Sequence, residues 1–279
     1  MARVAQYQQL GSQESTPQPA LADPRAATVF LMYHELEIPG RPLCQREPGY
    51  VRYVLPVADF NRQMTFLKDN GWEGVAVTKA LEFGPRRVAL TFDDGCETDL
   101  LTAAPILRQN GFGATFYITA GFVGERGYLS SAQLQELSAQ GFEIGCHSMT
   151  HAYLSDLDET GLRRELIDSK KLLEDWIGKS VDHFSCPGGR ISSEALAVAR
   201  EAGYRTVATS RTHANRASTD RFGLGRIAMI RGTSEHDFER ICNAIGLWRL
   251  SAANLVRDGA KGILGNALYD RLRGAILRT

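Results

Sequence analysis

Arg87-Val88-Ala89-Leu90-Thr91-Phe92-Asp93-Asp94-Gly95 is an apolar run that ends in two carboxylates and a glycine. Such a short run, apolar on both faces, reads as a buried strand from Arg87 to Phe92. Around it one local pattern recurs four times: a helix-period segment, a glycine, an aromatic residue, then a β-prone run. It occurs at Gly71-Trp72, Gly111-Phe112, Gly141-Phe142 and Gly203-Tyr204. A glycine there closes a helix in the left-handed conformation, and the aromatic packs at the entrance of the next strand. Phe60, Met64 and Leu67 lie at helical spacing, as do Leu162, Leu166, Leu173 and Trp176. Thr28 to Tyr33, Ala114 to Ile118, Glu143 to Cys146 and Arg205 to Thr209 read as further strands. Helices alternating with short apolar strands imply an α/β fold on a parallel sheet, open or closed into a barrel.

The chain has 279 residues, enough for one large α/β domain, and its 32 basic residues balance 32 acidic ones. No global field favours nucleic acid or an anionic membrane. Five cysteines without a Cys-x-x-Cys pair do not resemble a disulfide framework and fit a reducing compartment. The first residues lack an apolar core segment, so residues 1–26 are expected to be a disordered lead-in and the protein cytoplasmic. After about residue 232 the chain becomes helix-prone: Phe238, Ile241, Ile245 and Leu247, then Leu264, Leu268, Tyr269, Leu272 and Ile276, with Arg271, Arg273 and Arg278 among the last. Residues 233–279 therefore read as a helical extension packed on the main domain with a solvated basic face, or as a peripheral membrane contact.

Three motifs stand at strand ends, where parallel α/β folds place their sites. Asp93-Asp94 is either the start of a helix or a pair whose repulsion needs a cation or a proton. In Cys146-His147-Ser148-Met149-Thr150-His151 two histidines stand four positions apart, within reach of one metal ion. His, His and Asp together leave coordination positions open, as catalysis requires. The metal would polarise a carbonyl and activate a water while the unligated carboxylate takes its proton, which is amide or ester hydrolysis. Ser185-Cys186-Pro187-Gly188-Gly189-Arg190 is a tight turn, or a loop whose backbone N–H faces a developing oxyanion.

With these motifs in place, the chain resembles the polysaccharide deacetylases that share the NodB homology domain, carbohydrate esterase family 4. The resemblance runs from about Phe30 to about Ile230. It rests on Leu31-Met32-Tyr33-His34, Thr91-Phe92-Asp93-Asp94-Gly95, His147-x-x-x-His151 and the strand leading to Pro187. It implies a distorted (β/α) barrel of about seven parallel strands over residues 27–232, with the C-terminal helical extension beyond. It also implies hydrolysis of N-acetyl groups on a sugar or glycan, with lipid-linked and precursor forms preferred for a cytoplasmic enzyme. Asp93 is then the base, and Asp94, His147 and His151 hold a divalent metal: zinc first, with cobalt, nickel or manganese as alternatives. Gly188 supplies the oxyanion N–H.

Three departures stand out. Ser185 replaces an arginine that orients the base in many members, and Arg190 is one candidate to take over. Gly188 replaces an aromatic residue. The late Leu-x-His motif that supplies the general acid is missing, so His213 is the expected stand-in, the metal-activated water or Asp93 itself being the alternative, while His236 reads as a helix cap. The segment from Phe222 to Arg231 resembles the Leu-x-Arg-Ile strand found in a subset of these deacetylases. His34 lines the substrate mouth or sits buried in the barrel. The competing functions are a catalytically impaired carbohydrate-binding protein on the same fold and a hydrolase of another small amide.

Overall fold

A computed structural model describes residues 27–248. The expected disordered lead-in, residues 1–26, and the basic tail carrying Leu264 through Arg278 lie outside the described residues. The strands are β1 (Val29–Tyr33), β2 (Leu36–Glu37), β3 (Leu55–Pro56), β4 (Glu73–Val75), β5 (Arg87–Asp94), β6 (Thr115–Ile118), β7 (Glu143–Cys146), β8 (His183–Ser185), β9 (Thr206–Ala208) and β10 (Ile227–Ala228). Seven of them run in the order β10-β1-β5-β6-β7-β8-β9, all in parallel pairings. Leu224 bridges Ala208 of β9 just before the chain pairs with β1 as β10, so residues 224–228 span the gap and curl the sheet into a distorted (β/α) barrel.

β5 pairs with three strands, β1, β4 and β6. Its first half pairs with β4 through Glu73↔Arg87, and its second half with β6 from Thr91↔Thr115 onward. It runs two residues beyond the expected end, because Asp93 and Asp94 stay in register with Tyr117 and Ile118. Side chains alternate across the wall as a pleated strand demands. Val88, Leu90 and Phe92 point outward into the core under the helices, while Ala89 joins Phe30, Tyr117, Ala208 and Leu224 in a small interior cluster. Asp93 follows that interior parity. The outward core is large and aromatic at its centre: Tyr33 stacks on Phe92 at 5.2 Å, and Phe92 on Phe116 at 4.7 Å.

The junction glycines 71, 111, 141 and 203 all have positive φ, from 68° to 90°. Phe60, Met64 and Leu67 are fully buried on helix Val57–Asp69. The region expected as one helix around Leu162 to Trp176 is instead helix Glu159–Arg163, a π-helical turn Arg164–Asp168 and helix Ser169–Ile177. The extra residue in the wide turn sends Glu165 inward. At the C-terminal side, helix Glu235–Cys242 sets Phe238 edge-on against Phe66 at 5.8 Å. Among the described residues no helix is long and apolar enough to cross a membrane.

Candidate metal centre and active site

Register places the chemistry at the C-terminal end of the barrel. β5 delivers Asp93 and Asp94, and the chain turns immediately through positive φ at Asp94 (82°) and Gly95 (83°). β7 leads into His147, which continues the interior parity of Gly145 and is 2% exposed. A tight loop then returns His151 toward the strand end, with Ser148 at φ 70° and His151 at φ 61°. That unfavourable backbone is held by Glu165, whose carboxylate accepts from Met149 N (2.9 Å), Thr150 N (2.8 Å) and Thr150 Oγ1 (2.6 Å). Ser148 Oγ accepts from His151 N at 3.0 Å.

These elements bring Asp94, His147 and His151 together, their candidate ligand atoms all lying within 4.8 Å of one another. Asp94 Oδ1 is buried and has no hydrogen-bond partner. It faces His151 Nε2 at 3.5 Å and His147 Nε2 at 3.6 Å. Those separations are long for hydrogen bonds but suit two ligands sharing one ion at bond lengths of about 2.0–2.2 Å. His147 Nδ1 lies 2.8 Å from Ser185 O, so Nδ1–H donates to the carbonyl and Nε2 is left with its lone pair toward Asp94. Burial pushes the His147 pKa down to about 4 against the pull of Asp93, which keeps the ring neutral, as a ligand must be. The donor set therefore fits a divalent cation.

Residues 80–207 match the family model for polysaccharide deacetylase. A Bacillus subtilis relative carrying the polysaccharide deacetylase name, YxkH, is 27% identical over 66% of this chain and 68% of its own length. The peptidoglycan-N-acetylglucosamine deacetylase of Bacillus cereus is 37% identical over 43% of this chain, which spans 54% of that protein. Over these residues the chain matches the polysaccharide deacetylase family. Members of this deacetylase family are hydrolases of carbon–nitrogen bonds other than peptide bonds. In fold it is similar to the Streptococcus pyogenes deacetylase PplD, with a TM-score of 0.69 and 22% identity over 77% of this chain and 98% of that one.

Within this deacetylase site Asp93 lies behind the trio, its Oδ2 3.8 Å from His147 Nε2. Arg226 grips it: Nη1 donates to Oδ1 at 2.7 Å and Nη2 to Oδ2 at 2.8 Å. Arg226 is 1% exposed. Its remaining donors reach Ser185 Oγ (2.6 Å) and Thr209 O (3.2 Å), and its plane lies over the Tyr117 ring at 5.3 Å. Burial alone would raise the Asp93 pKa, but the charge and hydrogen bonds of Arg226 override it and hold the carboxyl well below the usual carboxylate range. The cation on the base is thus Arg226, arriving from the strand that leads into β10, and not Arg190. Ser185 takes part as a small hydroxyl that accepts from Arg226 and donates to Asp93 at 3.3 Å.

His34 follows directly from the pairing of β1 with β5. Tyr33 pairs with Phe92 and both point outward, so His34 and Asp93 come next and both point inward. The His34 ring packs on Tyr53 at 5.1 Å, and its Nδ1 is buried without a partner. His213, the expected acid, lies on the backbone of Gly225, where an added Cβ would come 2.7 Å from its ring. Burial and then Arg211 lower its pKa, disfavouring the protonated form that an acid must supply.

Gly188 sits exposed at the mouth with φ 64°, inside a short turn closed by Gly189 N to Cys186 O at 2.8 Å. A Cβ at Gly188 would overlap the Tyr153 ring. Tyr153, two residues after His151, thus sets its ring against the Gly188 turn.

Proposed function

We propose that this protein is a metal-dependent N-deacetylase of an N-acetylated glycan. The observation that carries the reading is the trio Asp94, His147 and His151 around one buried, unpartnered carboxylate oxygen, with a second, arginine-held carboxylate beside it. A divalent cation held there, zinc by its nitrogen and oxygen donors, supplies Lewis acidity for the acetamide carbonyl and for water. Asp93, kept ionised by Arg226, takes the proton of the attacking water. His34 returns a proton to the departing amine from the neighbouring strand. The Gly188 N–H, with no side chain in the way, donates to the developing oxyanion.

The Bacillus cereus relative is named for peptidoglycan N-acetylglucosamine, and a Staphylococcus aureus relative, 26% identical over 67% of this chain and 72% of its own, for poly-β-1,6-N-acetyl-D-glucosamine. N-acetylglucosamine glycans are accordingly our substrate class. The test is acetate release, with zinc supplied, from chitooligosaccharides, peptidoglycan and a lipid-linked N-acetylglucosamine, which separates polymer from precursor. Asp93→Asn is expected to bind zinc as the wild type does and to lose turnover; near-normal rates in that variant would overturn the reading. A catalytically impaired glycan-binding role is disfavoured because Arg226 and His34 fill the two functions that Ser185 and the missing late histidine left open.

A further inference from the structure

Away from the metal trio, Cys44 and Cys96 bring their sulfurs to 3.5 Å from positions 52 residues apart. Cys96 is fully buried at the turn after β5, and Cys44 is half-buried on the loop after β2. Both backbones are pinned to the same support. Cys44 N donates to the Glu35 carboxylate at 3.0 Å, and Cys44 Sγ lies 3.1 Å from Gly127 O. Cys96 bridges Tyr128, Glu97 N donates to Gly127 O at 2.9 Å, and Arg41 ties Glu35, Glu97 and Gly127 O together. The approach of the sulfurs is therefore built by five other residues.

Glu35 stands beside the two thiols, and a metal ion is the alternative occupant. Its carboxylate is already occupied by Arg41 at 2.6 Å, Tyr50 Oη at 2.9 Å and the Cys44 N–H. The carboxylate oxygens that a cation would need are thus taken up by these donors. What remains is a sulfur pair.

We propose that Cys44 and Cys96 are an oxidative cross-linking site that closes a disulfide when a peroxide is present. The accessible Cys44 attacks the peroxide as thiolate: an S–O bond forms, the O–O bond breaks and water leaves, giving a sulfenic acid. Cys96 sulfur then attacks Cys44 Sγ, the S–S bond forms and the oxygen departs as a second water. Two thiols and one hydrogen peroxide become one disulfide and two waters. The link fastens the Cys44 loop to a point two residues beyond Asp94. Cys146, Cys186 and Cys242 are free and buried.

The experiment treats reduced full-length protein with hydrogen peroxide, alkylates free thiols, digests without reductant and maps peptides by mass. A Cys44–Cys96 peptide pair, lighter than its two components by two hydrogens and separated again by reductant, is the expected result. The melting temperature is expected to rise on oxidation in the wild type and to stay unchanged in Cys44→Ser. Alkylation of both cysteines after peroxide would overturn the proposal. So would protection of both thiols by zinc that a chelator reverses, which would make the pair a metal site. The readout is thiol chemistry, so it stands or falls separately from deacetylation.

Discussion

Arg226 Nη1 and Nη2 lie 2.7 and 2.8 Å from the two oxygens of Asp93, a fork that joins residues 133 apart in sequence. Both partners are buried, so the charge on each stabilises the other and neither tolerates removal of its counterpart. Arg226→Ala leaves Asp93 with burial as the dominant influence, which favours the protonated, inactive form. The acidic limb of kcat/KM is expected to move to higher pH by roughly 1–3 units, with a stability loss of about 3–5 kcal/mol. Arg226→Lys keeps the charge but not the fork, and its limb falls between the two. A pH–rate profile with urea unfolding checks both, and an unmoved acidic limb in Arg226→Ala would count against the role.

His34 and His213 divide the question of the general acid. His34→Gln is expected to lower kcat by roughly 10²–10⁴-fold while zinc stoichiometry stays at the wild-type value. His213→Gln, which alters a ring packed on Gly225 beside Arg211, is expected to leave kcat near wild type. Steady-state kinetics with metal analysis on both variants decides, and the reverse ranking would restore His213 to the role.

The contrast between Asp94 and Arg226 shows what the sequence makes legible. Asp93-Asp94 and His147-x-x-x-His151 are local: one strand end and one tight loop contain them, so spacing alone identifies the donors. The alternating helices and strands, with their junction glycines, revealed the parallel α/β sheet for the same reason. Arg226 reaches Asp93 from 133 residues further along the chain, and no short-range pattern ties the two together. Leu224-Gly225-Arg226-Ile227 was recognisable as a strand, but its arginine acquires a role only once residues 224–228 span β9 and β1. His34 was visible on β1, yet its direction depends on the Tyr33↔Phe92 register. Glu165 was hidden by helical periodicity itself, because the π-turn that aims it inward departs from the period that made the helix legible.

Glu165 supports the metal trio without belonging to it. It spans two backbone N–H groups and one hydroxyl of the loop that carries His151 at positive φ. Glu165→Gln replaces one of those acceptor oxygens by a donor and loosens the loop. Zinc affinity is expected to fall by roughly 10–100-fold, with activity recovered at high zinc, because the ligands themselves remain. Calorimetric zinc titration tests this; unchanged affinity would mean that the loop keeps its shape without the carboxylate.

Asp99 provides a pH dependence with a definite sign. It is 1% exposed, neither carboxylate oxygen has a hydrogen-bond partner, and burial, reinforced by Asp94, raises its pKa well above the usual value. In the unfolded chain it titrates near ~3.9. Between that pH and its folded value the native state holds a proton that the unfolded state has released, so stability from this group is present below ~3.9 and declines as pH rises. Asp99→Asn removes the titration but keeps the size. The stability of the variant relative to wild type should therefore climb with pH, by up to about 1.4 kcal/mol per unit across that window. Any cost of the unpartnered amide adds a constant offset. The comparison belongs in chelator-treated protein, since a cation on Asp94 would relieve part of the repulsion. Urea unfolding of both proteins across the acidic to neutral range measures it, and a difference that stays flat with pH would show that Asp99 is ionised in the folded chain.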